Sequence, residues 1–142
     1  MSESKEQAFA HCAIISSIDL IKNRFECFPE NLENENGSLD ISIDSSHDHH
    51  SHEENHSYTV QFDLEVNGFN SRKDKIFELK SKFFLIYDLN KCASNWEEKE
   101  REYFKNRNAV LHAWPYIREH VDRLTAASPI PRAILPLYPL DK

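Results

Sequence analysis

Hydrophobic and polar residues alternate strictly between residues 58 and 67. A period of two over ten residues predicts an antiparallel strand with one face in water. The Asn67-Gly68 pair that follows is expected to open a turn in which Gly68 supplies a positive φ. The apolar face of this strand consists of Tyr58, Val60, Phe62, Leu64 and Val66.

Three other segments carry strand patterns. We expect a return strand from about Ile76 to Leu89, a short strand over residues 39–44 and a first strand from Ala13 to about Phe25. Residues 26–37, here called the crossover segment, are too long and irregular for a tight hairpin. The other connections can be hairpins, so strands two, three and four form a meander. Strand one then returns beside strand four and forms an edge of the sheet.

Helical patterns occupy the next part of the chain. Residues 95–105 combine good helix formers with opposite charges at helical spacing. A stronger helix follows, and Pro115 is expected to mark its start or a kink. It should end near Ser128, because Pro129 disfavours helical geometry in the residue before it. Its apolar face consists of Leu111, Trp114, Ile117, Val121 and Leu124.

The order of these elements predicts an α+β fold. A four-stranded antiparallel sheet, Greek-key-like with strand one beside strand four, packs against one long C-terminal helix. We expect a single domain over residues 1–142. It includes a flexible tail at 1–10, a His-rich hairpin loop at 45–57 and a proline-rich strap at 129–142.

Charge is distributed unevenly along the chain. Residues 1–57 contain 12 acidic and 3 basic side chains, whereas residues 58–142 contain 12 and 14. An acidic half argues against a nucleic-acid partner and suits either a basic protein partner or simple solubility. No apolar run approaches the roughly 20 residues of a membrane span. The N-terminus lacks the basic start and apolar core of a signal peptide, so we expect a cytoplasmic protein without membrane insertion.

The cysteines and histidines are the candidate metal ligands. Cys12, Cys27 and Cys92 form no Cys-x-x-Cys pair and are expected to be reduced thiols. The histidines between residues 47 and 56 could hold zinc, nickel or copper. Their loose spacing favours adventitious binding, so no metal site is assigned, and a metal-binding protein acting through this loop stays an alternative. The weak candidates are His47, His49, His50, His52 and His56.

The sequence argues against an enzyme. Gly37 and Gly68 are its two glycines, which excludes phosphate-binding loops and dinucleotide fingerprints. It contains no Gly-x-Ser-x-Gly motif. We therefore expect no catalytic residues and no cofactor.

Three motifs in order resemble the SecB family of cytosolic export chaperones. They are Glu78-Leu79 leading to Phe83-Phe84, then Pro115-Tyr116-Ile117-Arg118-Glu119, then the segment from Ile130 to Pro136. The likeness covers residues 13–140 in element order and 76–136 in motifs.

The resemblance implies an ATP-independent chaperone, or holdase, that binds unfolded or nascent polypeptides in apolar grooves. It also implies a homo-oligomer in which sheets join through the first strand and two dimers pair through their helices. The implied client-binding residues, with a plain core role as the alternative, are Phe25, Phe28, Leu32, Leu39, Ile41, Ile43, Ile130, Ile134 and Leu135. The implied oligomer-interface residues, with a core role as the alternative for those on the helix, are Ile14, Ile18, Leu111, Trp114, Ile117 and Val121.

The sequence departs from the family pattern in two places. Lys80, Ser81 and Lys82 replace a glycine-rich stretch, and the family's second helix and acidic tail have no counterpart before Lys142. The second departure puts recruitment of the translocase motor in doubt, so the expected role is either protein export or service to a dedicated client such as an antitoxin. An interaction protein with this fold, one specific partner and no general holdase activity stays an alternative.

Overall fold

The computed structural model describes residues 12–33, 37–52, 55–92 and 97–137, with only the backbone at 50–52 and 55. Four antiparallel strands form one sheet: β1 (Ile14–Cys27), β2 (Ser38–His52), β3 (Asn55–Phe69) and β4 (Lys75–Asp88). Their order is β1-β4-β3-β2. The predicted meander with strand one beside strand four is therefore confirmed.

The strand β2 is much longer than predicted, and the expected hairpin loop at 45–57 is wrong. Pairing between β2 and β3 continues from Ser38 opposite Phe69 to His52 opposite Asn55. Backbone hydrogen bonds to β3 hold the polar second half of β2, so this edge strand needs no apolar alternation of its own. The connection itself, residues 53–54, lies outside the described residues.

The turn between β3 and β4 also differs from the prediction. Gly68 pairs with Phe77 inside the sheet, and no described glycine has a positive φ. The left-handed residue is Lys73, with φ 68°. Asn70 organises this turn, because its side-chain oxygen accepts hydrogen bonds from the backbone of Arg72 and Asp74, both at 2.9 Å. A short polar side chain thus replaces the expected glycine.

Two of the three cysteines form a disulfide, which corrects the expectation of reduced thiols. Cys12 is bonded to Cys92, and Cys27 is a free, half-buried thiol. Cys12 precedes β1 and Cys92 follows β4. Because these strands are antiparallel neighbours, with Ile14 opposite Asp88, their ends bring the two cysteines together.

The helical region begins earlier than the predicted main helix. It comprises α1 (Glu98–Phe104), a π-helical turn (Lys105–Ala109) and α2 (Val110–Ala126). Pro115 lies inside α2 on its exposed side, so the helix does not start there. A carbonyl that loses its partner on this side can be hydrated. The end of α2 at Ala126 agrees closely with the prediction. Among the described residues, no helix is both long and apolar enough to span a membrane.

One face of the sheet packs against α2 and forms the core. Trp114, Ile117 and Val121 are buried there, so these three predicted interface residues lie inside the chain itself. Leu124 is half-buried and Leu111 is exposed. The sheet contributes the apolar residues of β3 and β4 that the alternation predicted, including Tyr58, Val60, Phe62, Leu64, Val66, Phe77, Leu79, Phe83, Leu85 and Tyr87.

Candidate functional site: an apolar groove

The described first part of the crossover segment, residues 26–33, forms one wall of a groove at the end of the sheet. Pro29 begins a 3-10 turn, Pro29–Asn31, for which its fixed φ is suited. The Asn31 side chain donates to the Lys75 carbonyl at 2.8 Å, and its own carbonyl accepts from the Asn70 side chain at 2.8 Å. The Phe28 amide donates to the Ile76 carbonyl at 2.8 Å. These bonds hold the segment against the β3–β4 hairpin.

The described part of the strap, residues 129–137, forms the opposite wall and is held by α2. The Ala133 amide donates to the Thr125 hydroxyl at 2.9 Å, and the Trp114 indole donates to the Pro136 carbonyl at 2.8 Å. Ala133 and Leu135 are buried, whereas Ile134 between them is 64% exposed. The extended strap therefore turns Ile134 away from the core.

Between these walls lies an open groove of about 200 Å³, whose surface is more apolar than polar. Leu39, at the start of β2, is 39% exposed and lines it together with Ile134. Phe77 is buried at the same place, and its ring lies over Gly68. A Cβ on that glycine would be only 2.3 Å from the ring, so only glycine leaves room for it. We call this site the strap groove; its lining residues are Leu32, Glu33, Gly37, Ser38, Leu39, Phe69, Asn70, Ile76, Phe77, Pro131, Arg132, Ala133 and Ile134.

The charged residues at the groove are paired with neighbours. Glu33 accepts from the Ser71 hydroxyl at 2.5 Å and forms an ion pair with Arg72 at 3.2 Å. On the strap, both oxygens of Asp122 accept from the Arg132 guanidinium. This hydrogen-bonded guanidinium holds the pKa of Asp122 below its ordinary value, so the carboxylate stays charged. The ion pairs tie each wall to the rest of the fold and leave apolar surface between them.

The predicted client-binding residues divide between the groove and the core. Leu32, Leu39 and Ile134 line the groove. Ile43, Ile130 and Leu135 are buried in the core. The remaining three are half-buried: Phe25, which packs against Phe77 with ring centroids 6.1 Å apart, Phe28 and Ile41.

Sequence reasoning missed the residues that the β3–β4 hairpin contributes to the groove. Phe69 and Ile76 line it next to Phe77, but the alternation pattern placed Phe69 in a turn region and Ile76 only at a strand end. The available signal was the run Gly68-Phe69, because a glycine inside a strand often marks a close approach of another group.

Comparison with solved structures identifies the fold. The SecB-like chaperone Rv1957 of Mycobacterium tuberculosis, in complex with a ChAD peptide from the Rv1956 HigA1 antitoxin, superposes with a TM-score of 0.81. The match covers 99% of this chain and 100% of that chain at 17% sequence identity. The chain has the SecB-like fold.

Other comparisons add little to the SecB-like assignment. A protein of unknown function from Streptococcus agalactiae superposes with a TM-score of 0.44 and 9% identity, over 87% of this chain and 96% of that chain. This similarity is too low to assign a fold or a function. No protein-family model and no curated protein matches this sequence.

The predicted interface residues outside the core lie on β1 and α2 of the SecB-like fold. Ile14 and Leu111 are exposed, and Ile18 is half-buried. Further exposed apolar residues, which the sequence did not single out, are Ile15, Leu20, Ile21 and Tyr116.

The histidine-rich segment lies at the opposite end of β2 from the groove. His47 contacts Tyr58, Glu98 and Glu102, and the rings of His49 and His56 stack with centroids 6.3 Å apart. The side chains of His50 and His52, the other two metal candidates, lie outside the described residues.

Proposed function

We propose that this protein is an ATP-independent chaperone that holds an extended polypeptide segment in the strap groove. Its natural client is a dedicated partner of the antitoxin class. The observation that carries the proposal is that two exposed apolar residues, Leu39 and Ile134, line one groove together with the buried Phe77. The SecB-like fold supports it, because a chaperone of the same fold binds an antitoxin peptide.

An apolar groove suits a chaperone because the hydrophobic effect requires no specific hydrogen-bond geometry. Burial of one client side chain such as leucine contributes roughly 1.5–3 kcal/mol. Micromolar affinity needs about 8 kcal/mol, which is more than one or two side chains in a groove of about 200 Å³ supply. The client therefore extends beyond the groove.

The start of β2 offers a path for such an extension. This strand is at the edge of the sheet, and Leu39 and Ile41 follow each other on the face of the groove. A client segment beside residues 38–42 would add a strand there, with alternate apolar side chains pointing toward the groove. The expected client has two or more large apolar residues at a spacing of two.

The test measures client binding after a charge is placed in the groove. In the double variant Leu39→Asp, Ile134→Asp, the affinity for an antitoxin-derived peptide should fall roughly hundredfold, because two apolar contacts are lost. Suppression of aggregation of a chemically unfolded reporter, measured by light scattering without ATP, should fall with it.

The matched control is Leu137→Asp, which changes an exposed leucine of the same strap outside the groove lining. It should bind the peptide like the wild type. Equal binding by the double variant would refute the groove as the client site. Wild-type protein that binds the peptide without protecting the reporter would support the alternative function, an interaction protein with one specific partner. Mass spectrometry of co-purified proteins should then show one stoichiometric protein instead of many.

A further inference from the structure

A second cluster of functional side chains lies where the far end of β2 meets α1. The Nε2 atom of His47 is 2.8 Å from Oε1 of Glu98 and 3.1 Å from Oε1 of Glu102. Glu98 and Glu102 are one helical turn apart, so both carboxylates project from the same side of α1. The His47 side chain is largely buried, and both glutamates are exposed to solvent.

The hydrogen bonds of Tyr58 show that Nδ1 of His47 carries a proton. The Tyr58 hydroxyl donates to the Arg101 carbonyl at 2.9 Å, since a carbonyl can only accept. Its single proton is thereby used, so at the 2.6 Å contact Nδ1 of His47 must donate to the hydroxyl oxygen. Nε2 of His47 in turn donates to Oε1 of Glu98 at 2.8 Å, because a carboxylate can only accept, and a cation bound here would take the place of that proton.

Two basic residues hold the glutamates in this orientation. Arg101 forms an ion pair with Oε2 of Glu98 at 3.1 Å, and Lys105 forms one with Oε2 of Glu102 at 3.3 Å. Each carboxylate therefore uses one oxygen for a neighbouring cation and directs the other at His47. An imidazole nitrogen and two carboxylate oxygens meet at one point, all within 4.8 Å of one another.

We propose that His47 Nε2, Glu98 Oε1 and Glu102 Oε1 bind one zinc ion. Zinc takes imidazole nitrogen at about 2.0 Å and carboxylate oxygen at about 2.1 Å, which puts tetrahedral ligand atoms about 3.3 Å apart. The observed 2.8 and 3.1 Å need only a small outward movement of two exposed side chains. The donation from Nδ1 to Tyr58 is the second hydrogen bond that orients a metal-binding histidine.

The bound ion would fasten the edge strand β2 to α1. Leu39 and His47 are eight residues apart on one strand, which corresponds to about 26 Å. Zinc should therefore raise the stability of the chain without changing client binding in the groove. The proposal does not depend on the chaperone function.

The test uses the full chain, stripped of metal by a chelator and titrated with zinc chloride. Wild-type protein should bind zinc at this site and show a higher thermal unfolding midpoint. The double variant Glu98→Gln, Glu102→Gln keeps every histidine and should lose both the binding event and the shift. Tyr58→Phe should bind zinc roughly 10–100-fold more weakly, because the orienting hydrogen bond is lost.

Two control variants distinguish this site from the neighbouring histidines and from exposed carboxylates elsewhere on the chain. His49→Ala, His56→Ala removes neighbouring histidines and should still bind zinc with the same shift. Glu119→Gln removes an exposed carboxylate of α2 and should behave like the wild type. Unchanged zinc binding in Glu98→Gln, Glu102→Gln would overturn the proposal and assign the ion to the histidine-rich strand ends. A wild type that binds no zinc, or that magnesium stabilises equally, would also overturn it.

Discussion

At the scale of single residues, two histidines connect α2 to the sheet in neutral form. Nδ1 of His112 is 2.7 Å from the Tyr87 hydroxyl, and Nε2 of His120 donates to the Asn23 side-chain oxygen at 3.0 Å. Burial lowers the pKa of His112. Burial, and then the charge of Arg123, lower the pKa of His120. Both side chains therefore resist protonation in the folded state.

This lowering gives stability a defined pH dependence. Above about pH 6.5, the ordinary value, both histidines are neutral whether the chain is folded or not. Below it, the unfolded chain binds protons that the folded chain does not, so the free energy of unfolding falls as pH decreases. Urea unfolding should show this decline between pH 7 and 5.5.

The double variant His112→Gln, His120→Gln cannot titrate at these positions but keeps polar groups there. Its decline over the same range should be clearly smaller than that of the wild type. His56→Gln leaves both helix–sheet histidines in place and should retain the full decline. Identical slopes in all three proteins would show that other groups determine the pH dependence.

Single residues also show where the sequence misled. Gly68 was predicted to supply a positive φ, yet it lies in β3, where the absence of a side chain makes room for the Phe77 ring. Asn-Gly is a good turn signal in isolation, but the dipeptide alone does not show that another side chain packs against its glycine. The cluster around His47 was equally hidden, since its two carboxylates come from a helix 51 and 55 residues further along the chain.

At the scale of elements, the strap is held to α2 through one buried hydroxyl. The Thr125 side chain is fully buried; it donates to the Val121 carbonyl and accepts from the Ala133 amide, both at 2.9 Å. Replacing the hydroxyl by a methyl group would leave the buried Ala133 amide without an acceptor. A buried unsatisfied donor costs about 1–3 kcal/mol.

Thr125→Val should therefore lower the free energy of unfolding by about 1–3 kcal/mol in urea titrations. Amide hydrogen exchange should accelerate at residues 133–135, since the strap loses its contact with the helix. Thr125→Ser keeps the hydroxyl and should stay closer to the wild type. Equal stability of the valine variant would mean that the strap is held by apolar packing alone.

Elements with a clear period were predictable, and elements set by their neighbours were not. The alternation of β3 placed its buried residues correctly. This strand lies between β4 and β2, and its side chains point alternately to the core and away from it. The second half of β2 has polar side chains and is a strand only because β3 pairs with it. Likewise, the Cys12–Cys92 bond forms because β1 and β4 are neighbours in the sheet. Two cysteines 80 residues apart in the sequence do not by themselves indicate a bond.

At the scale of the whole molecule, connection lengths carried much of the fold. The short connections favoured a meander, and the long crossover segment allowed strand one to lie beside strand four, which is the observed order β1-β4-β3-β2. The groove was less accessible to prediction. Ile134 and its buried neighbour Leu135 look alike in sequence, and only the alternating direction of the strap separates them.

The other edge of the sheet leads to a prediction about assembly. Leu20 on β1 is opposite Phe83, whose ring contacts His120 at 5.3 Å, and Tyr116 lies one helical turn before His120. Leu20 is 48% exposed and Tyr116 is 50% exposed. Exposed apolar residues thus lie at the β1 edge on the side of the sheet that carries α2. Grouped apolar surface of this kind marks protein–protein contacts, and an edge strand can pair with a second copy.

We therefore expect the protein to form a homo-oligomer through β1, with two or four copies of the 16.7 kDa chain in solution. Light scattering on the purified protein measures this mass directly. Leu20→Glu, Ile21→Glu should reduce it, because two charges would have to be desolvated at the contact. Both side chains are about half exposed in the single chain, so the variant should still fold. Leu137→Glu changes an exposed leucine far along the chain and should keep the wild-type mass. A wild-type protein that is strictly monomeric at micromolar concentration would contradict assembly through β1 and leave its exposed leucine and isoleucines to another partner.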